Sequence, residues 1–289
     1  MDFFSDIVAK LAQEKVVSPR LEAREIFAFV LQKDIAEIYS GCEVNYEQKQ
    51  QIEKLVKKRL SHCPLDKILG KKGFYKNEFI TNENVLSPRP DTEILVEKAL
   101  ELLPLDSIGK ILDLGTGSGC IIESILPERK KMQGVAVDIS AQALQTAQKN
   151  AANLNLQNRL NFINAGWFDK DFLQHFPTPF QMVVSNPPYI PRLEIEQLEP
   201  EVKNYDPMLA LDGGNSGYDC YEKIAELAPF LLADNAYILL EVGQGQAHHV
   251  AQIFMAKQLE LYGIVPDLAG IERCVILQKK LHNFFIMGI

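Results

Sequence analysis

"ILDLGTGSG", residues 111–119, joins a short apolar run to a turn rich in glycine. The apolar residues predict a buried strand, and the glycines predict a tight turn into a following helix. Glycine also lets the backbone approach a ligand closely, beside the unpaired N–H groups at the start of that helix. The spacing is close to the G-x-G-x-x-G fingerprint of dinucleotide sites. We therefore expect a ligand at this turn, although a tight connection without a ligand would also explain the glycines.

Strand-like and helix-like segments alternate on both sides of this turn. The strand candidates are residues 110–114, 134–138, 160–163, 180–185, 236–242, 259–265 and 273–278. Helical patterns occur at residues 141–154, 221–232 and 246–257. This alternation predicts the α/β class, with a doubly wound, mostly parallel sheet of seven strands and helices on both faces. Ligands of such sheets bind at the carboxyl ends of the strands.

The N-terminal part of the chain has a different pattern. Apolar residues recur at helical spacing over residues 1–60, which predicts a small helical bundle. Short mixed segments bounded by glycine follow, which is typical of a hairpin-like connector. We predict a helical domain at residues 1–72, a connector at residues 73–90 and an α/β domain at residues 91–289.

Composition indicates a soluble globular protein, with 289 residues of which 47% are apolar. The five cysteines form no C-x-x-C pair and no Cys/His cluster, so we expect neither a metal site nor disulfides. The N-terminus lacks the features of a signal peptide, and no apolar run is long enough to span a membrane. We expect a cytoplasmic protein with no membrane association.

The charge is unevenly distributed. The formal net charge of −8 argues against a stable complex with nucleic acid. Residues 49–76 nevertheless carry nine basic side chains against Glu53 and Asp66. Such a run is usually a solvated helix face, and it could also meet an anionic partner.

Asp138 ends the second predicted strand, close to the glycine turn. A carboxylate at this position typically accepts hydrogen bonds from ribose hydroxyls. It therefore suits an adenosine ligand, whether a nicotinamide cofactor or S-adenosylmethionine. A cap on the helix that begins near Ser140 would also explain it.

The segment SNPPYI at residues 185–190 follows the fourth predicted strand. Proline stiffens the backbone and keeps Asn186 out of a helix, so its side chain points away from the sheet edge. The oxygens of Asn186 and Pro187 are two acceptors, which suit the two hydrogens of one planar nitrogen. Tyr189, after Pro188, adds a flat ring. These residues predict a clamp for an NH2 group on an amide or a nucleobase.

DLGTGSG, the acidic strand end and NPPY together resemble class I S-adenosylmethionine-dependent methyltransferases that act on planar nitrogens. Three further segments narrow the resemblance: VLSPRPDTE at residues 85–93, Asp206-Pro207 with Ala210-Leu211, and DLAGIER at residues 267–273. With the helical N-terminus, they resemble the HemK-type release factor glutamine methyltransferases. The likeness extends from the first helices to Leu277. NPPY alone is widely shared, whereas its combination with PRPDTE is much more specific.

The resemblance implies a class I methyltransferase sheet and S-adenosylmethionine as the cofactor. The implied substrate is the glutamine of the Gly-Gly-Gln loop in class 1 peptide chain release factors, with the helical domain binding another part of this partner near the ribosome. The implied cofactor contacts are Gly115, Thr116, Gly117, Ser118, Gly119, Asp138, Trp167 and Asn186. The implied substrate contacts are Asn186, Pro187, Pro188 and Tyr189, with catalysis at Asn186, Pro187 and Tyr189. No metal is implied.

One departure from the family pattern is Gly166, which stands where relatives often carry aspartate before the tryptophan. Trp167 itself would also be explained as an ordinary core aromatic. Other functions stay open at this point: methylation of a ribosomal protein glutamine, methylation of rRNA or DNA, and a silent adenosine-binding scaffold. Nothing in NPPY favours the hydride transfer of a nicotinamide enzyme.

Overall fold

The computed structural model describes residues 2–281 and confirms the predicted fold class. One sheet has the strand order β5-β4-β3-β6-β7-β9-β8. Its strands are β3 (Gly109–Leu114), β4 (Met132–Asp138), β5 (Leu160–Asn164), β6 (Phe180–Ser185), β7 (Leu232–Glu241), β8 (Glu260–Pro266) and β9 (Glu272–Gln278), and a separate hairpin consists of β1 (Lys71–Phe74) and β2 (Asn77–Ile80). Neighbouring strands from β5 to β7 pair in parallel, and β9 alone runs in the opposite direction within this sheet, antiparallel to both of its neighbours β7 and β8. The sheet is therefore mostly parallel, as predicted.

Helices precede and follow the strands. The α-helices are α1 (Phe3–Gln13), α2 (Pro19–Leu31), α3 (Ile35–Tyr39), α4 (Tyr46–Leu60), α5 (Leu65–Leu69), α6 (Glu93–Leu102), α7 (Cys120–Glu128), α8 (Ala141–Asn153), α9 (Pro200–Lys203), α10 (Met208–Leu211), α11 (Asp219–Leu231) and α12 (Ala247–Met255). Short 3-10 helices cover Pro90–Thr92, Phe172–His175 and Arg192–Gln197. The helical N-terminal region predicted from the sequence is thus present.

The central strands β3, β4, β6 and β7 are buried on both faces along most of their length. Side chains alternate along β3, so that Leu112 and Leu114 join one apolar cluster while Ile111 joins the other. Helices α11 and α12 cover the first cluster, and α6, α7 and α8 contribute to the second. This burial explains why the strands are almost continuously apolar rather than alternating with polar residues.

Strand β7 begins four residues before the predicted start at Ala236. Asp234 and Asn235, which are residue types that favour turns, lie directly before the predicted start. In the structure they form an irregularity within the strand, where Phe180 of β6 pairs with Leu232 and Met182 already pairs with Tyr237. Asn235 has a φ of 60°, a left-handed conformation that asparagine tolerates. Asp234 and Asn235 therefore do interrupt the regular strand pairing, but they form a bulge within β7 and do not end the strand.

The contacts within the chain define two compact units. The first consists of the chain up to Lys71 together with Glu199–Tyr205, and the second consists of Lys72–Leu198 and the chain from Asp206 onward. The division at residues 72 and 90 that we drew from the sequence stays a prediction. No sequence pattern indicated that Glu199–Tyr205 packs within the first unit.

A buried arginine explains how this segment is held in the first unit. Arg59 is 6% exposed and donates from Nε to Oε2 of Glu22 at 2.5 Å. Its Nη1 donates to Oε1 of Glu201 at 2.7 Å. The hydroxyl of Tyr205 also donates to the carbonyl oxygen of Ser61 at 2.7 Å. One member of the basic run at residues 49–76 is therefore an internal ion-pair partner and not a surface charge.

Across residues 2–281, no helix combines the length and apolar character that crossing a bilayer would require. The apolar tail at residues 282–289 lies outside the described residues.

We expect Arg59→Ala to destabilise the first unit by about 1–3 kcal/mol, because the substitution leaves the partly buried carboxylate of Glu22 without its partner. Denaturant unfolding, with hydrogen exchange read in α2 and α4, measures the effect. The control is Lys58→Ala, since Lys58 is the exposed neighbour on the same helix. Equal stability of the two variants would show that the Arg59 ion pairs do not hold this unit together.

Candidate functional site

A cavity of about 250 Å³ opens at the carboxyl ends of β3, β4 and β6, within the second unit. Strand order reverses between β3 and β6, and ligands of doubly wound sheets bind at this type of position. The predicted site residues in its lining are Gly115, Thr116, Gly117, Ser118, Asp138, Trp167, Asn186 and Pro188. Gly119, Pro187 and Tyr189 lie outside the lining. The structure thus gathers most of the predicted residues around one space, and their individual roles stay predictions.

The glycine turn after β3 adopts a backbone that other residues disfavour. Gly115 has a φ of 72° and Gly117 a φ of 54°, both in the left-handed region. A Cβ atom on Gly115 would lie 3.2 Å from Cη2 of Trp167. Around Gly117, by contrast, such an atom would meet nothing within 4 Å. The turn is therefore packed against the tryptophan on one side and open on the other.

Asp138 connects this turn to the loop after β4. Its Oδ2 accepts from the N–H of Gly117 at 2.9 Å, and its Oδ1 accepts from the N–H of Ser140 at 2.8 Å. Burial raises the pKa of Asp138, and these two N–H groups oppose the rise. A carboxylate has about four lone-pair positions, so two stay available to a ligand. Ser140 itself caps α8, since its hydroxyl accepts from the N–H of Ala143.

Asp113 was not among the predicted site residues, and it stabilises the glycine turn from inside the sheet. Its side chain is fully buried, and Oδ2 accepts from the hydroxyl of Thr116 at 2.7 Å. Oδ1 has no hydrogen-bond partner within the part of the chain that the structure describes. Burial raises the pKa of Asp113 to about 7, and the charge of Asp138 adds to the rise.

Trp167 belongs to the cavity and also to the core. Its ring lies against Gly115, lines the cavity and packs against the apolar cluster on the α11 side of the sheet. Its buried Nε1 has no hydrogen-bond acceptor within residues 2–281. Both explanations offered by the sequence are therefore compatible with its position. Gly166 before it donates its N–H to Oδ2 of Asp169 at 2.8 Å, which closes a tight turn.

Asn186 leaves β6 toward the same cavity. Its Nδ2 donates to Oγ1 of Thr92 across a long distance of 3.5 Å. Pro188 joins it in the cavity lining. The structure therefore puts the polar end of the NPPY segment next to the glycine turn and Asp138.

Tyr189 is held by its backbone. The carbonyl oxygen of Tyr189 accepts from Nε2 of Gln246 at 3.1 Å. Added Cβ atoms would lie 2.7 Å from Cα of Tyr189 at Gly213 and 2.5 Å from its carbonyl oxygen at Gly217. Burial raises the pKa of Tyr189 to about 12, and the nearby carboxyl of Glu241 contributes. The phenol is consequently neutral near pH 7.

Three other segments of the predicted resemblance converge on this end of the sheet. Arg89 of PRPDTE donates to Oδ2 of the buried Asp206 at 2.8 Å. Arg273 of DLAGIER lies 3.3 Å from Asp267 and 3.6 Å from Asp91. The charges of Arg89, Asp91 and Arg273 all act on Tyr189. The motifs therefore lie close together at this end of the sheet, although they are far apart in the chain.

Sequence reasoning missed a large part of the cavity wall. The additional lining residues include Ser87, Pro88, Arg89, Thr92, Ser140, Phe168, Pro207, Leu209 and Ala210. For those in PRPDTE and around Pro207, the signal was available in the motifs that carry the resemblance. Ser140 and Phe168 had only their positions after strand ends to indicate a role. No group of three metal-ligating side chains occurs among residues 2–281.

Comparison with known proteins gives consistent matches over most of the chain. Residues 3–70 match the PrmC N-terminal domain, and residues 78–198 match the methyltransferase small domain. The "Release factor glutamine methyltransferase" of Rhodospirillum rubrum is 39% identical over 267 residues, covering 92% of this chain and 80% of that protein. The protein of the same name from Thermodesulfovibrio yellowstonii is 39% identical, covering 90% and 92%. That from Fusobacterium nucleatum is 37% identical, covering 98% and 80%.

We expect Gly115→Ala to destabilise the protein by about 1–2 kcal/mol, because alanine is strained at this left-handed φ. The new methyl group also has to displace the ring of Trp167, the single tryptophan of the chain. Thermal unfolding and tryptophan emission measure the two effects. The control is Gly73→Ala, where a Cβ atom would meet nothing within 4 Å. Unchanged emission in Gly115→Ala would contradict the packing of Trp167 on the turn.

Proposed function

The chain belongs to the family of release factor glutamine methyltransferases, and from this premise we propose how its cavity performs the reaction. The enzyme transfers a methyl group to the side-chain nitrogen, N5, of a release factor glutamine. We propose that this glutamine is the one in the Gly-Gly-Gln loop of class 1 peptide chain release factors. The observation that carries the proposal is the position of Asn186 in the same cavity as Asp138 and the glycine turn.

We propose S-adenosylmethionine as the methyl donor, and the residues of the cavity suit it. Asp138 keeps lone pairs for ribose hydroxyls after binding the N–H groups of Gly117 and Ser140. The open side of Gly117 allows close approach of the backbone, and Trp167 offers a flat surface to an adenine. Gly115, Thr116, Ser118 and Gly119 would complete the contacts. When bound, this cofactor supplies a methyl group on a sulfonium, so the leaving group is neutral.

The NPPY segment would hold the acceptor amide. A glutamine nitrogen is a poor nucleophile because its lone pair is delocalised into the carbonyl group. Positioning such a group correctly can contribute about 7–11 kcal/mol to lowering a reaction barrier. The side-chain oxygen of Asn186 and the carbonyl oxygen of Pro187 would accept the two amide hydrogens, while Pro188 and Tyr189 flank the amide plane.

These hydrogen bonds would also favour the reaction itself. Positive charge develops on the amide nitrogen as it gains a methyl group, so its N–H groups become stronger donors. The proton can leave after the transfer, so no strong base is needed at the start. Tyr189 does not act as a base near pH 7, because its phenol has a pKa of about 12 and stays protonated.

We also propose that the reaction takes place in the cytoplasm, close to ribosomes. All five cysteines are free thiols, as is usual in a reducing compartment. The proposed substrate is a component of the machinery that synthesises proteins. The helical first unit would bind a part of the release factor distant from the glutamine.

Mass spectrometry tests the acceptor directly. Purified release factor and purified ribosomes are incubated separately with the enzyme and labelled S-adenosylmethionine. We expect one added methyl group, on the Gly-Gly-Gln glutamine. Label on rRNA or on a ribosomal protein, with none on the release factor, would overturn the proposed substrate while leaving the methyl donor intact.

We expect Asn186→Ala to lower kcat by roughly 100- to 1000-fold, the usual loss when one preorganised hydrogen-bonding group at a reacting centre is removed. Affinity for S-adenosylmethionine should fall much less, because Asp138 and the glycine turn are unchanged. Emission from Trp167 reports cofactor binding, and methyl transfer to release factor reports turnover. Asn161→Ala is the control, since Asn161 is an exposed asparagine on β5. Full turnover by Asn186→Ala would rule out the clamp.

A further inference from the structure

Glu241, the last residue of β7, is a buried carboxyl that the proposed reaction does not yet use. Its side chain is 3% exposed. The backbone is fixed, since the carbonyl oxygen of Glu241 accepts from the hydroxyl of Tyr221 at 2.9 Å. The carboxyl oxygen Oε2, however, has no hydrogen-bond partner among residues 2–281. A buried acceptor without a donor calls for an explanation, because burying it is unfavourable.

The pairing of β6 and β7 brings Glu241 beside Asn186. Ser185, the last residue of β6, pairs with Leu240, so Asn186 and Glu241 are the next residues along the two chain segments. Glu241 lies on the face of Leu239, and the strand alternation continued one residue beyond β6 puts Asn186 on the face of Val184. Both faces belong to the apolar cluster that also includes α6. Thr92, the residue before α6, is therefore placed over the same two side chains.

The contacts agree with this register. Asn186 donates from Nδ2 to Oγ1 of Thr92, and the polar side chains of Thr92 and Asn186 both favour the ionised form of the Glu241 carboxyl by lowering its pKa. Other charged or titratable groups that act on Glu241 are Arg273 on β9 and Asp91 on the 3-10 helix before α6, while Tyr189 lies close by. Burial raises the pKa of Glu241 to about 7, and Thr92, Arg273 and Asn186 oppose the rise. Above that pH the group is a carboxylate.

A carboxylate next to an asparagine determines which way the amide points. An asparagine side chain can rotate by 180°, which exchanges its acceptor oxygen and its donor nitrogen. The proposed clamp works only when the oxygen faces the substrate. A carboxylate accepts hydrogen bonds and donates none, so it favours the orientation in which Nδ2 faces Glu241. The oxygen of Asn186 then points the other way.

We propose that Glu241 is a positioning residue that fixes the amide of Asn186, with Nδ2 toward Glu241 and Oδ1 toward the amide that receives the methyl group. This inference rests on the proposed function, because it assumes an amide acceptor at Asn186. Glu241 itself does not touch the substrate.

The test compares Glu241→Gln and Glu241→Met with the wild-type enzyme at about pH 8, where the wild-type group is ionised. Glutamine can face Asn186 with either end of its amide, and methionine offers no strong acceptor. We expect kcat for release factor to fall by about 10- to 100-fold, as when the supporting partner of a functional group is removed. KM and the affinity for S-adenosylmethionine should change little. Glu260→Gln, an exposed carboxylate on β8 paired with Lys280, is the control and should keep full activity.

The Glu241→Gln substitution in an enzyme that also carries Asn186→Asp distinguishes an effect on the orientation of residue 186 from an effect on packing. Aspartate at position 186 has two equivalent oxygens and needs no orientation, and it would repel the carboxylate of Glu241. Glu241→Gln in an Asn186→Asp enzyme should therefore raise the residual kcat, the opposite of its effect in the wild-type background. A loss caused only by disturbed packing would have the same sign in both backgrounds.

The outcomes distinguish this inference from the proposed function. Wild-type kcat in Glu241→Gln, or a loss seen only in KM or in cofactor affinity, would overturn the positioning role. A fall in kcat with an unchanged melting temperature supports it. Failure of the wild-type enzyme to methylate release factor would instead overturn the proposed function.

Discussion

The reversal of strand order between β3 and β6 is the constraint on which the rest of the site depends. From β3 the chain moves outward to β4 and β5, and from β6 it moves outward in the opposite direction. Right-handed crossovers then place α7 and α8 on one face of the sheet and α11 and α12 on the other. The loops that leave β3 and β6 diverge, and a crevice opens between them. Because Leu114 pairs with Ser185, Gly115 and Asn186 leave the sheet side by side.

Local patterns were sufficient for the sheet and for the two central loops of the site. ILDLGTGSG and SNPPYI each combine a buried strand with residues that only a special backbone or a ligand explains, so the positions of both loops beside one cavity could be inferred from the sequence. The remaining walls come from residues 84–92 and 207–212, and single-sequence periodicity does not indicate that these segments meet. The same limit applies to Glu201, whose partner Arg59 lies 142 residues away in the chain. Glu241 looked like an ordinary strand end, because its neighbours Thr92 and Asn186 belong to other parts of the sequence.

The buried carboxyl groups at the strand ends, considered by themselves, destabilise the folded state. Burial raises the pKa of Asp113 and of Glu241 to about 7, which shows that the ionised forms are destabilised relative to water. Apolar residues at these positions would continue the core of β3 and β7 without this cost. Within the strands, the buried carboxyls Asp113 and Glu241 both lie near the carboxyl end, where a ligand would bind. A functional constraint accounts for this distribution better than stability does.

The three strand-end carboxyls then have one physical property in common, which is that an ionised carboxyl accepts hydrogen bonds and donates none. Asp113 binds the hydroxyl of Thr116, and Asp138 binds the N–H groups of Gly117 and Ser140. In each case the carboxyl fixes the direction of a hydrogen-bond donor in a loop. The loop is thereby held in one conformation beside the cavity. Glu241 stands in the same relation to the amide of Asn186. The side-chain amide of Asn186 carries no charge that would orient it. A fixed hydrogen-bond acceptor beside it, the carboxyl of Glu241, therefore sets the direction in which the amide oxygen points.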